Sequence, residues 1–455
     1  MAYTTIDDPT LFFDTTLWST VDTSIDTLNF QPDWVWLKSR SNADTQVLFD
    51  SVRGVNKRLS SSGTGAESTT SDELTAFNSD GFTLGTGDNV NRSSQTMVAW
   101  SWKAGGTAPA ITYTVKVVSD SGNKYRFDDF GTSAVTLELQ EGGTYTFDQS
   151  DSSNSGHPLR FSTTSNGTHG GGSEYTTGVT TTGTPGSSGA KTVITVAASA
   201  PTLYYYCTQH SGMGGQANTN STFGSSNFSG SIQSTVSANT TAGFSIGKYT
   251  GTGSNATIGH GLGSTPSVIF VKKRNSSGDW NSFHNSLGNT GAMQLDHTGT
   301  FYTNSTIWNN TSPTSSVFSV GTWTYTNNGS DTYVFYALAE KKGYSKFGSY
   351  TGNNNADGTF IYTGFKPAWV LMKASTASEH WNLHDNKRDP FNVCDAGLKP
   401  NENNAEEDFD RIDFVSNGFK HRSTSGGYNS SNTFLYMAFA ESPFVNSNGV
   451  PTNAR

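Results

Sequence analysis

Pro367-Ala368-Trp369-Val370-Leu371-Met372-Lys373 decides the architecture, because its pattern occurs three times. It stands at Pro266-Ser267-Val268-Ile269-Phe270-Val271-Lys272, 101 residues earlier, and at Pro32-Asp33-Trp34-Val35-Trp36-Leu37-Lys38 near the N-terminus. A second anchor keeps the register. Thr332-Tyr333-Val334-Phe335-Tyr336-Ala337-Leu338-Ala339-Glu340 returns 101 residues later as Thr433-Phe434-Leu435-Tyr436-Met437-Ala438-Phe439-Ala440-Glu441. Thr96-Met97-Val98-Ala99-Trp100-Ser101-Trp102 is its N-terminal counterpart. The anchors start 64 residues apart in the first copy and 66 in the other two. Tyr249-Thr250-Gly251 with Tyr350-Thr351-Gly352, and Trp280 with Trp381, keep the same offset. Asp80-Gly81-Phe82 and Asn417-Gly418-Phe419 correspond between the anchors. Consecutive apolar residues over this length read as a strand covered on both faces. No 3.6-residue stripe persists, and Gly and β-branched residues punctuate nearly every window.

The expected fold is therefore all-β: three related sandwiches of about a hundred residues, at 1–105, 243–342 and 343–445. A different domain occupies 110–220. Gly105-Gly106-Thr107-Ala108-Pro109 reads as a linker, and so does the Asn/Ser/Thr/Gly stretch from Gly214 to Thr241, although its Phe223 and Phe228 ask for a packing partner. Set in line, such sandwiches would form a rigid rod.

Composition narrows the class. The chain has 455 residues, 33% hydrophobic and 12% aromatic, which is too aromatic for disorder. Only 14% are charged, too few for helices laced with ion pairs. A net charge of −9 without a Lys/Arg cluster argues against nucleic acid as a partner. No run approaches the eighteen apolar residues of a membrane span. The opening Met1-Ala2-Tyr3-Thr4-Thr5-Ile6-Asp7-Asp8-Pro9 is acidic and polar where a signal peptide would be basic and then apolar. An extracellular-type β composition without an export signal fits a virion protein, made in the host cytoplasm and released by lysis.

The domain at 110–220 carries the chemistry. Leu203-Tyr204-Tyr205-Tyr206-Cys207-Thr208-Gln209-His210-Ser211-Gly212-Met213-Gly214-Gly215 holds one of only two cysteines, with His210 and Met213 at three-residue steps. Gly156-His157-Pro158-Leu159-Arg160-Phe161 supplies a second imidazole fifty residues upstream of Cys207. A thiolate, two imidazoles and a thioether form the ligand set of a mononuclear copper site. With Cys207 given a ligand role, a disulfide framework is not expected. The spacing Cys207-x2-His210-x2-Met213 with His157, behind strands such as Val135–Leu139 and Thr144–Phe147, resembles the cupredoxins. The resemblance implies a Greek-key sandwich with copper held by His157, Cys207, His210 and Met213.

The repeats resemble a family found in tail and other structural proteins of bacteriophages, particularly marine ones. The resembling residues are Phe30-Gln31-Pro32-Asp33-Trp34-Val35-Trp36-Leu37-Lys38-Ser39-Arg40, then Phe49-Asp50-Ser51-Val52-Arg53-Gly54, Asp80-Gly81-Phe82 and Met97–Trp102. This implies a tail-fibre, tail-tip or other appendage protein that binds the host surface. Its partners would be other virion proteins and a cell-surface receptor or glycan, with the chain as a homo-oligomer, a trimer by resemblance to phage fibres. The alternative is an extracellular copper-binding redox protein of the cupredoxin type. An enzyme is not expected. No H-E-x-x-H, phosphate-binding Gly-rich loop or G-x-S-x-G elbow is present, and a depolymerase has no sequence support.

The remaining polar residues read as structure. Asp50, His284 and Asp385 each follow an anchor proline by eighteen residues, and their alternation reads as surface-loop variation. Glu406, Glu407, Asp408 and Asp410 read as a solvated run. His380 and His384, about 13 Å apart on extended chain, would not share an ion. His169 reads as a solvated turn residue near the Cys207 loop.

Overall fold

The computed structural model describes residues 3–19, 21 and 24–451 and is built almost wholly of strands. Each repeat has an inner sheet with one strand order. In the first it runs Phe13–Trp18, Met97–Trp102, Trp34–Ser39, Val47–Asp50. In the second it runs Phe244–Thr250, Thr332–Leu338, Val268–Lys273, Asn281–His284. In the third it runs Ser345–Thr351, Thr433–Pro443, Phe365–Ala374, Asn382–Asp385. The anchors pair antiparallel in the same register, Trp34 opposite Trp102, Val268 opposite Leu338 and Trp369 opposite Phe439. Smaller outer sheets, such as Ala256–Gly259 with Val317–Val320, complete the sandwiches.

Residues alternate between two destinations, as the two-unit period of a strand requires. Val35 and Leu37, Ile269 and Val271, and Val370 and Met372 point into the three separate sandwich cores. Trp34 and Trp36, Val268 and Phe270, and Trp369 and Leu371 all join one common cluster. The three inner sheets therefore pack on one another, and the anchors are apolar throughout because both faces are covered. This corrects the rod: the repeats close into a ring around a shared core.

Equivalent residues make the joints. Gln46 Nε2 donates to the Lys399 carbonyl at 2.6 Å, Trp280 Nε1 to that of Ser60 at 2.7 Å, and Trp381 Nε1 to that of Gln294 at 2.9 Å. The first repeat thus reaches the third, the second the first, and the third the second, a head-to-tail contact that closes.

The position read as a variable surface loop is buried in these joints. Asp50 is bonded by Arg53 at 2.5 Å and by Tyr336 Oη of the second repeat at 2.7 Å. Asp385 is bonded by Arg388 at 2.5 Å and by Trp100 Nε1 of the first repeat at 2.9 Å. His284 faces the third repeat, its Nε2 3.4 Å from the Tyr436 carbonyl oxygen. The alternation is a change of partners: Leu287 replaces the arginine, and Met437 holds the place of Tyr336 and Trp100.

The acidic run is structural in part, with Asp408 exposed as expected. Glu406 is bidentate to Arg40 of the first repeat and bonded by Arg388 at 2.8 Å, while Glu407 begins the strand Glu407–Val415 and pairs with Lys399 at 2.9 Å. The side chain of Asp410 lies outside the described residues. Arg274 and Arg53 bind Glu67 in the same way. Burial alone would raise both carboxylates, but the paired guanidiniums outweigh it and hold Glu67 and Glu406 below the ordinary range.

Between the first two repeats the chain forms another two-sheet sandwich. One sheet orders Asn123–Phe127, Ala110–Ser119, Thr144–Asp148, Lys191–Thr195, Val179–Thr182, and the other Leu137–Gln140, Gly215–Asn220, Leu203–Cys207, Leu159–Ser162. Its aromatic core includes Tyr113, Phe127, Phe147 and Tyr205. The stretch from Gly214 to Thr241 is not a plain linker: it carries the strands Gly215–Asn220, Ser225–Asn227 and Ser234–Asn239. Phe228 enters this core, and Ser225–Asn227 pairs with Ser234–Asn239, which extends the inner sheet of the second repeat. Among the described residues no helix is long and apolar enough to cross a membrane.

Candidate metal centre

The inserted sandwich brings three of the four candidate ligands to one end. Strand Leu203–Cys207 pairs antiparallel with Leu159–Ser162, Cys207 opposite Leu159, so the His157-Pro158 segment arrives beside the cysteine. Thr208 N donates to the Pro158 carbonyl at 3.2 Å and fixes that approach. Leu203, Tyr205 and Cys207 alternate inward, and Cys207 is fully buried as a free thiol.

The loop from Thr208 to Gly214 then folds back over the sheet end. Gly214 permits the return: a Cβ there would lie 1.7 Å from the Tyr205 carbonyl oxygen. Asn166 clamps the loop, accepting from Gly212 N at 2.8 Å and donating to Ser211 Oγ at 2.8 Å. Tyr125 N donates to the Met213 carbonyl at 3.0 Å, and the Lys124 ammonium to that of Gly212.

His210 is thereby placed with its Nδ1 3.7 Å from Cys207 Sγ, and His157 with its Nδ1 3.9 Å from the same sulfur. The imidazole centroids are 4.5 Å apart. All three candidate ligand atoms lie within 4.8 Å of one another. An ion about 2.3 Å from sulfur and about 2.0 Å from each nitrogen, in a trigonal arrangement, sets sulfur and nitrogen about 3.7 Å apart. The observed distances fit that arrangement. Met213 follows on the same loop with its side chain buried in the sandwich core.

Surrounding groups hold the ligands in place, as the outer shell of a metal site does. The His157 carbonyl accepts from Tyr125 Oη and from Gln149 Nε2, each at 2.8 Å. Burial, and then the neighbouring His210, lower the pKa of His157 and favour the neutral imidazole that a metal requires. His210 is exposed, so the centre meets solvent at that edge. His169 is exposed on a short turn, as its solvated reading expects, and also places its Nε2 3.0 Å from the Cys207 carbonyl oxygen. Asn166, Tyr125 and Gln149 were not legible as site residues, since each acts from another strand or turn at no fixed spacing.

The other histidine expectations resolve simply. His380 contacts Glu402 at 3.2 Å, while His384 is buried with its Nε2 3.0 Å from Tyr428 Oη, so the two have separate surroundings. A second convergent group, Asp279, Asp296 and His297, lies in the second repeat near buried Lys272 and was not anticipated.

Fold and site together define a multidomain all-β protein whose inserted sandwich gathers a Cys/His/His cluster. The chain belongs to the family described as a domain of unknown function (DUF7483), which it matches over residues 8–137 and 215–443, most of its length. The match covers the three-repeat body, and the interval it skips contains His157, Cys207, His210 and Met213. No curated protein and no solved structure matches the chain.

Proposed function

We propose that this protein is a structural component of a bacteriophage virion, part of a tail fibre, tail tip or other appendage, and that it binds the host surface. The resemblance of the repeats to phage structural proteins motivates the reading. The observation that supports it is the common core. Three sandwiches spend their inner faces on one another and form a single block, which leaves outer sheets and loops for contact. Weak loop contacts gain useful strength when copies are multiplied, which is the reason to expect a homo-oligomer. The trimer rests on the resemblance to phage fibres, and avidity is the argument for several copies. Fluorescently labelled protein should bind host cells, and particles lacking it should fail to adsorb. Labelled protein that does not bind, together with normal adsorption of particles lacking it, overturns the reading.

A second reading is favoured by the Cys207 geometry: a copper centre held by His157, Cys207 and His210, with Met213 as the weak fourth ligand expected from the resemblance. A bound copper ion would supply one-electron chemistry. The chain's own residues supply a buried cysteine sulfur, two imidazoles and a clamped loop. On this reading the redox module is carried within a structural body.

A further inference from the structure

The third repeat contains a cavity that the second repeat fills, and two substitutions account for the difference. Asn327 and Asn429 hold equivalent places, accepting from Thr252 N at 2.9 Å and from Asn353 N at 3.1 Å. Two residues before them stand Tyr325 and Gly427. In the second repeat the Tyr325 ring lies against Gly278, where an added Cβ would be 2.9 Å from it. In the third repeat Glu379 takes the place of Gly278 and Gly427 the place of the ring. What opens is a cavity of about 140 Å³. Gly426 lets the carboxylate in, since a Cβ there would lie 2.2 Å from Glu379 Oε1.

The lining combines both hydrogen-bonding roles. Glu379, Asp395 and Glu407 offer acceptors, Lys399 and Arg411 offer donors, and Tyr428 adds an aromatic wall. Lys399 and Glu407 pair at 2.9 Å on one side, and the Arg411 guanidinium lies 5.0 Å from the Tyr428 ring centroid on the other. Among the described residues no hydrogen bond reaches the Glu379 carboxylate. A hydroxyl both donates and accepts, so a ring bearing several hydroxyls satisfies such walls where an apolar ligand would leave them unpaired. The volume is below the roughly 300 Å³ at which pockets for drug-sized ligands begin, and suits one ring. Three carboxylates against two cations disfavour an acidic ligand.

We propose that this cavity binds a single non-acidic sugar residue, neutral or amino-bearing, at the end of a surface glycan. The glycan context rests on the host-binding reading; the cavity itself does not. Saturation-transfer NMR on the full chain tests it with glucose, galactose, mannose, their N-acetylated and free 2-amino forms, and glucuronic acid. Transfer to at least one non-acidic sugar and none to glucuronic acid is expected. Gly427→Tyr, which puts a ring back at the position of Tyr325 but against Glu379 and with its Cβ 2.9 Å from Asn382 Nδ2, should abolish transfer, with the fluorescence melting curve reporting whether the variant is folded. Glu379→Gln should weaken binding about tenfold, and serves alone if the first variant does not fold. No transfer from any sugar, or equal transfer in wild type and Glu379→Gln, overturns the proposal. Host-cell binding separates the two readings. Wild type and Gly427→Tyr binding cells equally would sink the cavity as the receptor site and leave adhesion standing. Sugar transfer without cell binding would sink adhesion and leave the cavity.

Discussion

Trp369→Ala tests whether the three repeats are one cooperative body. The side chain is 1% exposed, and its ring centroid lies 5.5 Å from Trp102, 6.4 Å from Phe13 and 5.8 Å from Phe439. Two of those three rings belong to the first repeat, so the substitution damages a joint as well as the third sandwich. Truncating a buried tryptophan costs about 3–5 kcal/mol, and the lost edge-to-face contacts place this case near the upper end. With a denaturant slope of about 3 kcal/mol per molar urea, the midpoint should fall by about 1.5 M. All ten tryptophans lie in the repeats and none between residues 110 and 220, so tryptophan fluorescence follows the ring alone. Maleimide labelling read by mass spectrometry reports Cys394, buried in the third repeat, and Cys207, buried in the insert. One fluorescence transition is expected, with Cys394 becoming reactive across it and Cys207 protected to higher urea. Eight of the ten tryptophans belong to the first two repeats. Labelling of Cys394 while most fluorescence stays native would refute the shared core, because the third repeat would then unfold alone.

Copper(II) added to the metal-free chain should produce an intense visible thiolate-to-copper band that Cys207→Ser abolishes; neither colour nor bound metal at neutral pH would mark the loop as purely structural, with Cys207 a small buried hydrophobe. Burial lowers the pKa of Lys38, Lys272 and Lys373, at one equivalent position in the three repeats, from 10.5 to about 8. Between those pH values the unfolded chain binds more protons than the folded one, so stability should rise with pH from about 8 until buried tyrosines reverse the slope above about 10. A melting temperature that is flat or falling from pH 8 to 10 would count against these lysines being buried.

The sequence made the anchors legible as strands covered on both faces, because Trp34 to Leu37 and Val370 to Met372 leave no polar side. It did not say what covers the second face. An apolar run records the absence of water, and a neighbouring repeat serves as well as an outer sheet. The metal loop was legible because its spacing is local: Cys207, His210 and Met213 are fixed by one turn. His157 was within reach only because its strand lies next to that of Cys207. The joint residues were misread for the opposite reason. Asp50 and Asp385 look solvated as single letters, and their burial follows from partners three residues or a whole repeat away. One signal was available within the chain itself. Arginine stands at the third residue after both aspartates, as Arg53 and Arg388, and leucine stands there where histidine replaces aspartate.

That covariation bears on how the ring closes in one order. Two joints carry buried charge: Asp50, Arg53, Glu67 and Arg274 at one, and Asp385, Arg388, Glu406 and Arg40 at the other. The third is built of His284, Leu287 and Phe301, with Ser375 at the position of the two outer arginines, and there the backbone bond from Phe301 N to the Ser375 carbonyl, 3.0 Å, stands with contacts of Trp381 Nε1, Lys373 Nζ and His284 Nε2 to carbonyls across the joint. The equivalent bonds, from Glu67 N to Arg274 and from Glu406 N to Arg40, are each 2.8 Å, so the backbone joint is the same in all three. Side chains alone distinguish them. A buried ion pair adds little net stability over a well-packed apolar contact, whereas an unpaired buried charge costs several kcal/mol. A closure in the opposite order would set Asp50 against Met437 instead of Tyr336 and forfeit a hydrogen bond to a buried carboxylate. It would also set Arg40 against Phe301 and strand a guanidinium. Two charged joints and one apolar joint therefore make the three sandwiches non-interchangeable, although their backbones are nearly so.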